Sequence, residues 1–99
     1  MFGTIRRYTV KPGQMQETIK RVKQGLVPLV SRQQGFIAYH AMDAGNNVAV
    51  SVSFYQSRAA ADNANKEAAG WVKSNLAELI TPVDVTVGEV LAEATASRV

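Results

Sequence analysis

The stretch GFIAYHAMDAGNNVAVSVSFYQS, Gly35 to Ser57, constrains the fold more than any other part of the chain. Two runs with strand-like alternation flank a Gly-Asn turn, which is the pattern of an antiparallel hairpin. Alternation gives the hairpin two faces. One carries Phe36, Ala38, His40 and Met42 with Val48, Val50, Val52 and Phe54. The other carries Ile37, Tyr39 and Ala41 with Ala49, Ser51, Ser53 and Tyr55. The first is the more apolar, so it is expected to lie beneath helices, with Met42 opposite Val48 and His40 opposite Val50.

The flanking segments supply those helices. Phe2 to Val10 favours a strand, and KPG (Lys11 to Gly13) ends it in a turn. Met15, Ile19, Val22, Leu26, Leu29 and Val30 then recur at spacings of three and four, the mark of an amphipathic helix. Pro28 falls inside that pattern and cannot donate to the Gln24 carbonyl, so a kink is expected, eased by Gly25. Gly35 suits a left-handed C-terminal cap. Ser57 is a candidate N-cap for a second helix, Arg58 to about Leu79, with a stripe of Ala61, Ala64, Ala68, Val72, Leu76 and Leu79. After Pro82 the chain alternates Val83, Val85 and Val87 with Asp84, Thr86 and Gly88, a last strand.

The order βαββαβ implies an α+β, ferredoxin-like fold: a four-stranded antiparallel sheet with two helices on one face, as a single domain over residues 1–99. No element is left to cover the second sheet face. The uncharged Ser51 and Ser53 face is therefore expected to pack on a second copy, giving a sheet-to-sheet homodimer.

Composition excludes several classes. Apolar residues make up 46% of the chain, charged residues 19%, and the net charge is +3. The basic residues are scattered, without the basic-aromatic stripe of a nucleic-acid binder. There is no cysteine, which excludes disulfides and thiolate chemistry. One histidine without clustered carboxylates gives no metal site. No apolar run approaches a membrane span, so a cytoplasmic location is expected.

A first strand closing on KPG, a helix containing VPLV, then QGFIAYHAMDAG, then VAVSVSFYQSRAAA entering a second helix together resemble the antibiotic biosynthesis monooxygenase-like (ABM) family of the dimeric α+β barrel superfamily. The resemblance covers nearly the whole chain. It implies a barrel made by two sheets packed face to face, and a pocket in each subunit between its sheet and its helices. Members of that family include cofactor-independent monooxygenases acting on phenolic substrates, haem-degrading oxygenases and many proteins of unknown role, so the resemblance implies the fold more than the reaction. The haem-degrading pattern places tryptophan and histidine on the second helix and asparagine on the first strand. Here those positions fall on Asn63, Lys73 and, near the strand position, Arg6. These departures count against haem degradation.

The reading is therefore a small-molecule monooxygenase acting without metal or prosthetic group on an aromatic or phenolic substrate. The alternative is a non-catalytic ligand-binding or stress-response barrel. His40 is the candidate base, and Asn65 and Arg6 the candidate donors to an oxyanion. Asn65 attracts notice as an amide within the buried stripe of the second helix, where it needs a partner. Trp71, Tyr8, Phe54 and Val50 are candidate substrate-binding residues. Each also has a structural reading: Trp71 packing on the first helix, His40 or Asn65 bonded to protein, a tyrosine at the interface. Asp62 and Lys66, four apart, are expected to form a solvated ion pair.

Overall fold

The structure is a computed structural model describing residues 1–96; residues 97–99, the end of the expected domain, lie outside it. Its elements are β1 (Phe2–Val10), α1 (Met15–Arg21), a π-helical turn (Val22–Leu26), α2 (Val27–Ser31), β2 (Phe36–Gly45), β3 (Val48–Tyr55), α3 (Arg58–Asn75) and β4 (Ile80–Glu89). The strands form one antiparallel sheet in the order β2-β3-β1-β4. This is the expected ferredoxin-like arrangement, with the helices on one face. No helix among the described residues is long and apolar enough to cross a membrane.

Pro28 is accommodated by widening the helix before it. The Val27 amide reaches back to the Val22 carbonyl, a π-type bond, and Pro28 then stands in the first turn of α2, where no donor is required. Gly25 has a second role. A Cβ built on it would lie 2.5 Å from Trp71 Cζ2, so its bare backbone is the seat on which the indole rests. Trp71 is thereby a helix-to-helix contact.

The hairpin closes through Asn46 (φ 53°) and Asn47 (φ 62°), two consecutive left-handed residues as a two-residue primed turn requires. A bulge near Gly45 lets that residue pair with Val48. Met42 therefore faces Val50, and His40 faces Val52, two residues further along β3 than expected.

The sheet faces are the reverse of the expectation. Ala49, Ser51, Ser53 and Tyr55 of β3 are buried beneath the helices, as are Thr4, Arg6, Tyr8 and Val10 of β1. Val48, Val50, Val52 and Phe54 are half-buried on the uncovered face, in register with exposed Ile5 and Met42. The physical reason is volume. Ala61, Ala64 and Ala68 of α3 bring the helix close to the sheet, and small groups beneath them fit where valines would not.

α3 begins where expected: Ser57 Oγ accepts from the Ala60 amide at 3.1 Å. It ends at Asn75, and a turn carries the buried Leu76 and Leu79 into β4. That strand starts at Ile80, before Pro82, which edge position and a bulge opposite Arg7 and Tyr8 permit. The ion pair on α3 joins Asp62 to Arg58, at 3.7 Å, rather than to Lys66.

The seat of the indole yields a signed prediction. In an open helical position Gly→Ala stabilises by about 0.5–1 kcal/mol. Gly25→Ala is instead expected to destabilise by about 1–3 kcal/mol through overpacking on Trp71. Gly25→Ala with Trp71→Leu should recover much of the loss. Urea unfolding of the three variants is the measurement, and a stabilised single variant would show that the contact is absent.

Candidate functional site

Alternation along β1 sends Arg6 and Tyr8 inward, towards α3. Ala69 and Lys73 on α3, with Ala77 in the turn after it, lie beside the buried stripe, and the two alanines leave space against the sheet. The β4 bulge interrupts regular pairing at the same level. Together these elements enclose a cleft of about 380 Å3, with Val72, Ile80, Pro82 and Val85 as apolar walls and Arg6, Tyr8 and Lys73 as its polar groups. That size and character suit one small organic molecule.

The inner end is polar and incompletely bonded. Arg6 is 6% exposed, and its Nε has no hydrogen-bond partner, nor has the Tyr8 hydroxyl. Among the described residues no carboxylate forms an ion pair with Arg6. Burial pushes the Tyr8 phenol up from its ordinary value, outweighing the neighbouring Arg6 cation, which favours the phenolate. Tyr39 is pushed up to about 12, chiefly by burial. Both phenols are thus held protonated, as donors.

Behind Arg6 lies a chamber of about 10 Å3 bordered by Thr4, Tyr39, Ser51, Ser53 and Asn65. Asn65 Nδ2 donates to Thr4 Oγ1 at 3.0 Å. The amide is therefore satisfied by the sheet, and it supports β1 two residues before Arg6 rather than lining the cleft.

The other expected site residues lie elsewhere. His40 is exposed on the uncovered face, in register with Val52, because the helices cover the opposite register; it cannot act as a base in this cleft. Phe54 and Val50 share that uncovered face for the same reason. Phe54 and His40 border a separate groove of about 410 Å3 beside Ile37, Val90 and Glu93. Trp71 stands over Gly25, away from the cleft. Of the seven residues expected, the structure brings Arg6 and Tyr8 together, with Asn65 behind them. Lys73 and Val85 were missed as lining groups. The four-residue row Ala69, Lys73, Ala77 was the available signal for the lysine. Among the described residues, no three or more acidic or histidine side chains cluster as a metal site would need.

The antibiotic biosynthesis monooxygenase family profile matches residues 1–69. No curated protein matches the sequence significantly. Among solved structures, a protein of unknown function from Nitrosomonas europaea superposes with a TM-score of 0.80 at 21% identity, over 98% of this chain and 95% of that one. HapK from Hahella chejuensis gives 0.75 at 17% identity, over 99% and 100%. A mutant form of SnoaB, a cofactor-independent oxygenase from Streptomyces nogalater, gives 0.74 at 16% identity, over 93% and 94%. At these identities the likeness establishes the fold.

The buried phenol of Tyr39 sets a pH dependence. Its folded value, about 12, exceeds the unfolded value of 10.0, so the folded protein keeps a proton that the unfolded chain loses. The associated stability is complete below pH 10 and is lost as pH rises towards 12. Melting temperatures across this range should fall less steeply in Tyr39→Phe than in the parent. Identical slopes would mean that this phenol ionises freely.

Proposed function

Because the chain belongs to the antibiotic biosynthesis monooxygenase family, we propose that it oxidises an aromatic or phenolic small molecule in the cleft between sheet and helices, without metal or prosthetic group. The observation that carries this reading is the cleft itself: apolar walls closing on the buried, incompletely bonded Arg6 and Tyr8. The cofactor-independent oxygenase SnoaB, of the same fold, lends support.

In such a reaction an electron-rich oxyanion reacts directly with dioxygen. A ring CH2 becomes C=O, one oxygen atom enters the product and the other leaves as water, so all four electrons that reduce dioxygen come from the substrate. Arg6 and Tyr8 donate to the oxyanion from the buried inner end of the cleft. Asn65 is a positioning residue, holding β1 through Thr4.

The same reading includes a homodimer, now through the corrected face. Val48, Val50 and Val52, with Ile5 and Met42 beside them, form an apolar surface that no helix covers among the described residues, and Phe54 continues it towards the segment after β4. His40 lies on that surface and belongs to the interface rather than to the cleft.

Oxygen uptake with anthrone-like phenols tests the activity. One dioxygen should be consumed per substrate, chelators should have no effect, and Arg6→Met should lower kcat/KM by about 100-fold. A substrate that binds without oxygen uptake above buffer would favour the ligand-binding alternative instead.

The dimer has its own test. Val52→Lys places an ammonium in the middle of the proposed interface, where desolvation costs several kcal/mol. Light scattering should show a dimeric parent and a monomeric variant; a variant that stays dimeric would exclude this face.

A further inference from the structure

We propose that the cleft takes its ligand as a preformed oxyanion, a carboxylate or an already ionised phenol on an apolar aromatic skeleton, with the charge seated on Arg6. This rests on the cleft being the ligand site, as the proposed function also requires. It adds that the ligand's charge is the feature selected.

The titratable groups facing the cleft are Arg6 and Tyr8 from β1 and Lys73 from α3; β4 contributes Ile80, Pro82 and Val85, none of which titrates. None of the three can take a proton from a neutral ligand: arginine and lysine are already cations at neutral pH, and a phenol is already protonated. Burial of Tyr8 strengthens that assignment. The candidate bases lie elsewhere. His40 stands on the other sheet face. Asp84 faces Arg7 across the sheet, in the register opposite to that of Arg6. Glu78, next to Ala77, is held by Arg21 at 2.7 Å. The ligand's proton must therefore be left in bulk water before entry.

The cation requires the matching charge. Arg6 is buried without a paired acid among the described residues, and its Nε has no acceptor. A buried charge is stabilised when an opposite charge meets it with hydrogen bonds, and a guanidinium offers its donors in the geometry of two carboxylate oxygens. The Tyr8 hydroxyl, also unpartnered, donates to the same oxyanion. Lys73, exposed at the mouth, adds attraction during entry. Val72, Ile80, Pro82 and Val85 then accept a hydrocarbon or aromatic body.

Calorimetric titration at neutral pH with 2-naphthoate and its neutral isostere 2-naphthamide separates charge from shape, and an acidic nitronaphthol extends the series to phenolates. Naphthoate is expected to bind at least tenfold tighter than the amide. The nitronaphthol should tighten as pH rises through its own ionisation. Arg6→Met should remove the charge preference. Tyr8→Phe, a near-isosteric change that guards against a fold defect in the first variant, should reduce it. Equal affinity for acid and amide would overturn the proposal. So would a preference that survives Arg6→Met, or no binding of naphthoate at millimolar concentration. Anionic probes that bind while anthrone-like phenolates bind without oxygen uptake would leave this proposal standing and remove the monooxygenase reading. Oxygen uptake whose rate ignores substrate ionisation would do the opposite.

Discussion

The close seat of α3 on the sheet organises the rest of the molecule. Ala61, Ala64 and Ala68 are buried there, and the strand positions on that side carry Thr4, Ser51 and Ser53. Small against small lets helix and sheet approach, and the larger groups are displaced to the ends of the contact: Tyr55 at one end, Tyr8, Leu76 and Leu79 at the other. One of the buried hydroxyls on this surface is bonded from the helix, Thr4 accepting from Asn65. Beyond Ala68 the facing strand bulges at Pro82, and the contact opens into the cleft. Packing at one end of the helix thus leaves room for a ligand at the other.

Much of this was legible in the sequence where a local rule acts alone. The 3.6-residue period located the stripe on α3 residue by residue, and a hydroxyl one residue before Arg58 marked its start. The hairpin itself was legible, but its turn falls on Asn46 and Asn47 rather than on a Gly-Asn pair, because asparagine tolerates positive φ and Gly45 is drawn into β2. Ends were less legible. β4 begins before Pro82 because an edge strand can spare a donor, and a sequence does not announce which strand will be an edge. The π-turn before Pro28 was readable only as a disturbance: a missing donor says that the helix must adjust, and either a kink or a wider turn would satisfy it.

The two sheet faces were misread for a specific reason. Ranking faces by hydrophobicity assumes that the most apolar one lies under the chain's own helices. Here Val48, Val50, Val52 and Phe54 form the uncovered face, while Ser51 and Ser53 are inside. The contradicting information was in α3, not in the hairpin. An alanine stripe calls for small partners, and of the two hairpin registers the one with Ala49, Ser51 and Ser53 offers them. Helix and sheet had to be read together, as a pair of complementary volumes. The error carried His40, Phe54 and Val50 to the wrong side; for Arg6 and Tyr8, alternation along β1 says only that one of the consecutive arginines turns inward, and packing beneath α3 makes it Arg6.

Arg6 and Arg7 show how far one step along a strand separates two chemistries. They are consecutive, with the same charge, and β1 turns them to opposite faces. Arg7 lies on the face shared with Val50, across from Asp84, so a carboxylate stands in register beside it. Arg6 is enclosed by the cleft and the polar chamber, beside a phenol that burial keeps neutral. The hydroxyls and amide behind it supply dipoles but no opposing charge. A cation held this way retains most of its attraction for an anion, because the low local dielectric that makes it costly also leaves it unscreened. Arg7 has the Asp84 carboxylate opposite it in the sheet, whereas Arg6 has no acid in register, which is why the inner of the two arginines is the one suited to read a ligand's charge.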